Sequence, residues 1–384
     1  MRSDFRLTAR HWLNLTTRLQ HESFRIGCLI VAHLSDVRER ALKMKRHLNT
    51  LFVTTEGSYL AKDGAAVQVR FEKKTILRVP LHNLDGIVCF GRVGFSSQLA
   101  AACAESGVSI SLMSPYGRFR AAVVGFSPGN VLLRRQQYRV ADDPAATGKI
   151  ARNMIVGKIA NTRSVLLRAA RDSKHEERSE RLKAAAEKMA PLLSLVRKAT
   201  DVDSVRGYEG ESASRYFSAF SDLTSDPDFE MKGRSRRPPT DRINALLSFL
   251  YAMLSHDARS ACEACGLDSA VGFLHRDRPG RPGCALDLME EFRPVLADRL
   301  AVSLINRRQI NAKGFEVTSA GAVRMNDKTR KTVLAAYQQR KQDEIEHPFL
   351  GEKTTMGLLI HLQARLLARH LRGDLDEYPV FIWK

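Results

Sequence analysis

Three positions, far apart along the chain, carry side chains that could together bind one divalent cation. Glu209 stands in Gly-Tyr-Glu-Gly-Glu-Ser, and His275 ends the run Gly-Phe-Leu-His. Glu290 follows Asp287 by three residues, which places both on one face of a helix and turns Glu291 away. Two carboxylates and an imidazole suit Mg²⁺ or Mn²⁺, and the imidazole favours Mn²⁺. Beside a phosphodiester, such an ion polarises the phosphate and lowers the pKa of an attacking hydroxyl or water.

Each of these residues also has an ordinary structural interpretation. Glu209 is expected near the start of a helix, where the helix dipole stabilises an acid without any function. His275 precedes an Arg-Asp-Arg-Pro turn and fits a surface histidine. Asp287 could cap its helix, and Glu290 could pair with Arg293. Spacing alone therefore leaves the metal site and the structural interpretation both open.

The cysteines offer a competing metal site of another class. Cys262 and Cys265 have the C-x-x-C spacing of zinc ligands, and His256, His275 and Cys284 are near them in sequence. Structural zinc sites usually contain two closely spaced ligand pairs, and this chain has one. Six cysteines in 384 residues do not form a disulfide framework, so a reducing cytoplasm is the predicted location.

Charge points to nucleic acid. The chain has a formal net charge of +19, and residues 131–171 contain nine Lys and Arg against two Asp. Such a field binds a phosphate backbone by releasing counterions, although a solvated helix face would have the same composition. A non-catalytic nucleic-acid-binding module is therefore the alternative to an enzyme. The candidate DNA contacts, including two from the basic loop 232–242, are Arg134, Arg135, Lys149, Arg152, Lys158, Arg163, Arg236 and Arg237.

The hydrophobic periodicity predicts an α+β protein. From about residue 48 to 124 the period is two, with strands over 48–55, 58–62, 66–71, 75–81, 86–91, 108–113 and 118–124 and a small helix over 96–106. Helices are predicted over 144–172, 176–199, 207–224, 241–265, 286–308, 326–346 and 355–372. No apolar run approaches the ~18 residues that a membrane-spanning helix needs.

Three segments follow from this pattern. Residues 1–43 are predicted to be an extension that precedes the fold, with Met44 as an alternative start. Residues 44–126 form a small β-rich domain, and residues 130–384 form a larger all-α domain with the candidate catalytic residues. The extension is not expected to be a secretory signal, because charged residues follow its apolar run where a cleavage site would stand.

Four blocks, in order, resemble the CRISPR adaptation integrase-endonuclease family. They are Gly-Tyr-Glu-Gly-Glu-Ser-Ala-Ser-Arg-Tyr-Phe (207–217), Arg-Arg-Pro-Pro-Thr-Asp-Arg-Ile-Asn-Ala-Leu-Leu-Ser-Phe-Leu-Tyr (236–251), Gly-Phe-Leu-His (272–275) and Leu-Asp-Leu-Met-Glu-Glu-Phe-Arg-Pro (286–294). Leu-Asn-Thr-Leu-Phe-Val-Thr-Thr (48–55) is similar to the start of the subtype I-C branch. The resemblance runs from about residue 44 to the C-terminus and has no counterpart for residues 1–43.

The resemblance implies a role for each candidate residue. Glu209, His275 and Glu290 match the family's metal ligands, and Asp287 matches a nearby acid that supports a ligand rather than being one. The family has a β-rich and then a helical domain, requires Mg²⁺ or Mn²⁺, and uses no organic cofactor. Its members form homodimers and join a small CRISPR-associated partner, with a prespacer-trimming nuclease as a further partner. The implied activity is insertion of short foreign DNA duplexes at a CRISPR repeat, by attack of a 3′-hydroxyl on a phosphodiester.

Overall fold

The computed structural model describes residues 49–115, 119–125 and 131–383. The predicted extension, the alternative start at Met44 and the predicted junction at 126–130 lie outside the described residues. Within them a β-rich part precedes a helical part, which confirms the predicted fold class and order. No helix in this described portion combines the length and the apolarity that crossing a bilayer requires.

The β-rich part contains two four-stranded sheets. In the first, the strand order is β1-β5-β7-β8, with β1, β5 and β7 parallel and β8 antiparallel to β7. In the second, the order is β4-β3-β2-β6. The strands are β1 (Asn49–Val53), β2 (Tyr59–Asp63), β3 (Ala66–Phe71), β4 (Lys74–Pro80), β5 (Leu84–Phe90), β6 (Gly94–Phe95), β7 (Ser109–Met113) and β8 (Phe119–Val123).

The strand β5, inside the first sheet, is buried on both faces. Successive side chains of a strand point to opposite faces, and β5 is apolar at every position from 87 to 90. Ile87 and Cys89 pack into the core of the β-rich part, whereas Val88 and Phe90 pack into the core of the helical part. The sheet therefore joins the two hydrophobic cores.

One short helix of the β-rich part forms as its sequence predicts. The helix α1 (Ser97–Glu105) is capped by Ser96, whose Oγ accepts a hydrogen bond from the backbone of Leu99 at 3.2 Å. Gly107 follows with φ +71°, a conformation in which glycine has no steric penalty. A local cap and a local stop were enough to place this helix.

The helical part is built around one long central helix. Asp143 caps it as predicted, since its Oδ1 accepts from the backbone of Ala145 at 2.9 Å. Its neighbours include a helix over 131–142 that the sequence analysis did not assign. The helices are α2 (Val131–Asp142), α3 (Pro144–Asp172), α4 (Glu176–Lys198), α5 (Val202–Ser218), α6 (Arg242–Ala264), α7 (Gly283–Met289), α8 (Arg299–Asn306), α9 (Asp327–Lys341) and α10 (Met356–Leu371).

Three of the predicted helices are wrong in extent, and the first of them, predicted over 207–224, runs over Val202–Ser218. The helix predicted over 286–308 is interrupted: α7 ends at Met289, a π-helical turn covers Arg293–Asp298, and α8 follows. Pro294 explains the interruption, because it has no N–H and its ring excludes the carbonyl four residues earlier, that of Glu290. The helix predicted over 326–346 ends at 341, because residues 344–346 pair with residues 353–355 as strands.

Four short strands accompany the helices. Phe315–Val317 (β9) pairs with Val323–Met325 (β10), and Glu344–Glu346 (β11) pairs with Lys353–Thr355 (β12). The helix α3 packs against α4, α5 and the π-helical turn at the centre of this part. The central helix therefore touches both the segment that carries Glu209 and the segment that follows Glu290.

Candidate functional site

Glu209 lies in the middle of a helix rather than at its start. The helix α5 begins at Val202, where the Asp201 side chain accepts from the backbone of Ser204 at 2.7 Å. Glu209 is two turns further on, beyond the reach of the stabilising end of the helix dipole. Its side chain is 26% exposed and points at Lys158 of α3. The dipole interpretation of this acid is therefore wrong.

His275 belongs to a loop that Asp287 holds in place. The Asp287 carboxylate accepts backbone hydrogen bonds from Phe273 at 2.5 Å, Leu274 at 2.9 Å and His275 at 3.0 Å. Asp287 lies on α7 and is fully buried. A buried carboxylate needs such donors, because an unpaired charge in the interior is costly. The three hydrogen bonds fix the loop against α7 at the residue that carries the imidazole.

A fourth contact fixes the orientation of the imidazole. His275 Nδ1 lies 2.5 Å from Asp287 Oδ1. Because a carboxylate accepts, Nδ1 carries a proton, and in the neutral form of the imidazole Nε2 then presents a lone pair. Nε2 lies 3.9 Å from Glu290 Oε1. Carboxylates commonly hold metal-binding histidines in this way, with the second nitrogen aimed at the ion.

A glycine allows the close approach of this loop to α7. A Cβ atom on Gly272 would lie 2.7 Å from Asp287 Oδ2 and 2.7 Å from the backbone carbonyl carbon of Gly283. Real Cβ atoms essentially never approach backbone so closely. In the Gly-Phe-Leu-His run, the packing of the loop against α7 therefore requires a glycine at position 272.

Glu290 follows the end of α7 and is almost completely buried. Its Oε1 forms an ion pair with Arg293 Nη2 at 3.1 Å, and its Oε2 lies 2.7 Å from Lys158 Nζ. Burial opposes ionisation, but Arg293, Lys158 and His275 outweigh it, so the pKa of Glu290 is lowered to about 2. Glu290 is therefore ionised at neutral pH. The pairing with Arg293 that the spacing allowed is present, and it coexists with the other contacts.

Lys158 brings the two glutamates together. Its ammonium pairs with Glu209 Oε1 and with Glu290 Oε2, and its side chain is 11% exposed. The sequence analysis placed Lys158 among residues that contact DNA from a basic helix face. The structure instead places it in the interior of the site, between two carboxylates that are 51 and 132 residues further along the chain.

The donor set fits a divalent cation of the Mg²⁺ and Mn²⁺ class once the ammonium moves. Among the residues described, no three His, Cys, Asp or Glu side chains are close enough to bind one metal ion, since Lys158 separates Glu209 from Glu290. Glu290 Oε2 is buried and accepts no hydrogen bond of good angular geometry, although the ammonium is near. Carboxylate oxygens and an oriented imidazole nitrogen are the ligand types that these cations accept.

Arg293 is itself held by an aromatic and acidic network. Its guanidinium lies 4.8 Å from the centroid of Tyr251. Tyr251 donates to Asp298 at 2.7 Å, and Tyr216 donates to the same carboxylate at 3.1 Å. Burial raises the pKa of Asp298 to about 6, against the two tyrosine hydrogen bonds that lower it. This network holds the guanidinium that pairs with Glu290 Oε1, the same oxygen that lies 3.9 Å from His275 Nε2.

The last residues of the described chain fix the neighbour of Glu290. Glu291 is fully buried and accepts from the backbone of Phe381 at 2.7 Å. Asn161 of α3 donates to the carbonyl of Glu291 at 2.8 Å and to that of Phe381 at 3.0 Å. Burial raises the pKa of Glu291 to about 8, although hydrogen bonds from Tyr378, Phe381 and Gln363 oppose the shift. We call residues 378–383 the C-terminal segment; it ties α3 to the loop of Glu290.

We expect Gly157→Ala to loosen this segment. A Cβ atom at 157 would lie 2.1 Å from Val380 Cγ2 and 3.3 Å from the carbonyl oxygen of Phe381. Overpacking of this kind costs about 1–3 kcal/mol, so the midpoint of urea unfolding should fall. Gly148→Ala on the same helix is the matched control, because its nearest contact is 3.8 Å away. The control should gain stability by about 0.5–1 kcal/mol. Equal changes in the free energy of unfolding for Gly157→Ala and Gly148→Ala would contradict the close packing of Gly157 against Val380 and Phe381.

The remaining DNA-binding candidates divide into two groups. Three are engaged within the protein: Arg152 donates to the carbonyl of Ala199 at 2.7 Å, and Arg163 to that of Ala186 at 2.9 Å. Arg134 lies 3.5 Å from Glu263. The other four are exposed: Arg135, Lys149, Arg236 and Arg237. DNA contact stays a prediction for all of them.

The sequence analysis named Arg236 but missed three other arginines that act together with it beside the site, Arg206, Arg278 and Arg281. The pKa of Arg281 is lowered, mainly by burial. The nearby positive charges of Arg278, Arg206 and Arg236 lower it further, whereas the Asp287 carboxylate opposes the shift. These positive charges and the Asp287 carboxylate are therefore near enough to Arg281 to act on it. Arg206 also donates to the carbonyl of Leu274 at 2.6 Å. The run Arg-Asp-Arg-Pro-Gly-Arg directly after His275 was the signal that could have revealed them. We name Arg206, Arg236, Arg278 and Arg281 the arginine cluster.

The geometry does not support the zinc alternative. Cys262 Sγ lies 3.8 Å from Cys284 Sγ, whereas Cys265 Sγ lies 3.8 Å from the carbonyl oxygen of His361. His256 Nδ1 lies 3.3 Å from Ser111 Oγ. Burial raises the pKa of Cys265 to about 12, so it is a thiol, whereas zinc binds thiolates. In the ranges that the structure describes, these side chains do not form a group of three metal ligands.

Comparisons with known proteins agree on one family. The family model described as CRISPR associated protein Cas1 matches residues 51–339. One relative is the CRISPR-associated endonuclease Cas1 1 of Chlorobaculum tepidum. It is 53% identical over 343 residues, which is 89% of this chain and 100% of the relative.

Solved structures share the fold. A Cas1 protein from Thermotoga maritima has a TM-score of 0.75 at 23% identity and covers 86% of this chain and 99% of its own. A casposase bound to integration product has a TM-score of 0.75 at 22% identity, covering 86% and 93%. A Cas6-RT-Cas1–Cas2 complex has a TM-score of 0.75 at 22% identity, covering 88% of this chain and 36% of that one.

Proposed function

We propose, from the premise that this chain belongs to the Cas1 family of CRISPR-associated endonucleases, that it inserts short DNA duplexes at a CRISPR repeat with the help of Mg²⁺ or Mn²⁺. The observation that carries the proposal is that Lys158 pairs with both Glu209 and Glu290, while His275 Nε2 lies 3.9 Å from Glu290 Oε1. Three elements distant in sequence converge there, and their donor types suit the cation.

In this proposal each residue has a defined task. Glu209 and Glu290 supply anionic oxygens, and His275 supplies Nε2, which Asp287 orients through Nδ1. A cation bound by them would stabilise the negative charge that builds on the phosphate during attack. Arg293 keeps Glu290 ionised and in place. The attacking group is the 3′-hydroxyl of the incoming duplex, and attack by water at the same phosphodiester gives nuclease activity.

The arginine cluster is proposed to hold the phosphate backbone of the DNA at the site. We expect Arg281→Gln to weaken duplex binding about equally across sequences and to reduce the slope of log K against log salt by about 1. Arg197→Gln is the matched control, because Arg197 is an exposed arginine at the C-terminal end of α4. Fluorescence anisotropy measures the duplex affinity of both variants at salt concentrations from about 50 to about 200 mM. An unchanged slope for Arg281→Gln would remove the cluster from the DNA interface.

The proposed partners follow from the family. They are double-stranded DNA, a second copy of this chain, a small CRISPR-associated partner and a prespacer-trimming nuclease. One similar structure is a complex that contains Cas1 and Cas2, which supports the small partner. We also propose membership of the subtype I-C branch, supported by the sequence of residues 48–55.

A half-site integration assay tests the proposed function. A labelled prespacer, the cognate repeat and the small partner are incubated with the protein, with Mn²⁺ or with EDTA. The proposal expects joined product with Mn²⁺ and none with EDTA. A non-catalytic DNA-binding module, the alternative, would give duplex binding under both conditions and no product under either.

A further inference from the structure

We propose that Lys158 is an internal counter-ion of the candidate metal site. Its ammonium holds Glu209 and Glu290 together in the metal-free protein and leaves them when a divalent cation binds. This inference rests on the proposed function, because it takes these two carboxylates as metal ligands.

Burial makes a counter-ion necessary. The side chain of Glu290 is 3% exposed and that of Glu209 is 26% exposed, and both face the same point. Two carboxylates that share a partly buried site repel each other, and a buried charge needs a partner. Arg293 pairs with Glu290. Among the described residues, Lys158 is the cation that pairs with both glutamates.

The ammonium and a metal ion would need the same oxygens. Lys158 Nζ lies against Glu209 Oε1 and Glu290 Oε2, which face each other across it. Mg²⁺ binds carboxylate oxygens at about 2.0–2.1 Å, so it would occupy the space between these two oxygens. Two cations in that space would repel. Binding of one therefore requires displacement of the other.

The side chain can move while its helix stays fixed. Gly157 packs under Val380, and Asn161 hydrogen-bonds to the C-terminal segment, so α3 is anchored on both sides of Lys158. The lysine stem has four flexible carbons. A cavity of about 20 Å³, bordered by Lys158, Thr162 and Asp298, lies beside the Lys158 side chain.

Direct Mn²⁺ binding to Lys158→Met tests the inference. Methionine keeps an unbranched stem of similar length and removes the charge. We expect Mn²⁺, titrated alone and followed by electron paramagnetic resonance, to bind at least about fivefold more tightly than to the wild type. In EDTA, the melting temperature of Lys158→Met should be lower than that of the wild type. Addition of Mn²⁺ should raise the melting temperature of the variant by more than it raises that of the wild type. Lys183→Met, an exposed lysine of α4, is the control and should change neither. Unchanged or weaker Mn²⁺ binding by Lys158→Met would overturn the proposal.

A thermodynamic cycle without metal provides a second test. In EDTA, Lys158→Met should cost less stability in a Glu209→Gln background than in the wild type, because the repulsion that Lys158 relieves is then absent. Equal costs in both backgrounds would overturn the counter-ion role. Different results would contradict the proposed function itself. In that case the wild type would bind no Mn²⁺, or Glu209→Gln and Glu290→Gln would bind Mn²⁺ as tightly as the wild type does.

Discussion

His275→Ala is expected to abolish Mn²⁺-dependent strand transfer while duplex binding stays within a few-fold. The imidazole is the nitrogen ligand of the proposed site, and its Nε2 faces Glu290 at 3.9 Å. Loss of a ligand should remove several kcal/mol of transition-state stabilisation, which corresponds to a rate about 10²–10³-fold lower. The arginine cluster is untouched, so the affinity for the phosphate backbone should persist.

The measurement pairs half-site integration with anisotropy on the same duplex. His175→Ala is the matched control, because His175 is exposed at the start of α4 and its side chain makes no capping hydrogen bond. The control should integrate at the wild-type rate. Full integration by His275→Ala would contradict the assignment of His275 to the metal site. Loss of duplex binding together with activity would instead place His275 in the DNA interface.

Asp287→Asn is expected to have the second largest effect, and it acts through His275. Each carboxylate oxygen now accepts two hydrogen bonds, Oδ2 from Phe273 and Leu274 and Oδ1 from the backbone and ring of His275. An asparagine has one accepting oxygen, so its NH₂ group would face two donors. Each buried donor left unpaired costs about 1–3 kcal/mol, so the unfolding free energy should fall clearly.

The same variant should also weaken metal binding. In this variant, His275 Nδ1 no longer donates a hydrogen bond to a carboxylate at position 287. The imidazole is then no longer held with Nε2 toward the site. Losing such a supporting hydrogen bond typically costs 10–100-fold in metal affinity. Mn²⁺ titration and urea unfolding measure the two effects. Asp277→Asn, an exposed acid in the same loop, is the control. Wild-type Mn²⁺ affinity in Asp287→Asn would show that Asp287 does not orient the ligand.

Local sequence signals predicted much of the architecture. Strand periodicity gave β3 with its observed bounds, and Ser96 and Asp143 mark the starts of their helices because a cap acts within three residues. The predictions failed where distant chain segments decide. The strand at 344–346 depends on pairing with 353–355. The break before Pro294 is the exception, because that proline is a local signal that the sequence analysis did not use.

The sequence by itself determined the order of the two structural parts, the family and the identities of the three candidate ligands. Residue types and local spacing carry this information, because they act over a few positions. Only the tertiary structure decided where Lys158 lies, that Asp287 holds the His275 loop, and that the C-terminal segment ties α3 to Glu291. These contacts join residues that are far apart along the chain; Asn161 and Phe381, for example, are 220 positions apart. The physical reason is burial: in the interior each charge and each hydrogen-bonding group must find a partner, and the fold chooses which one.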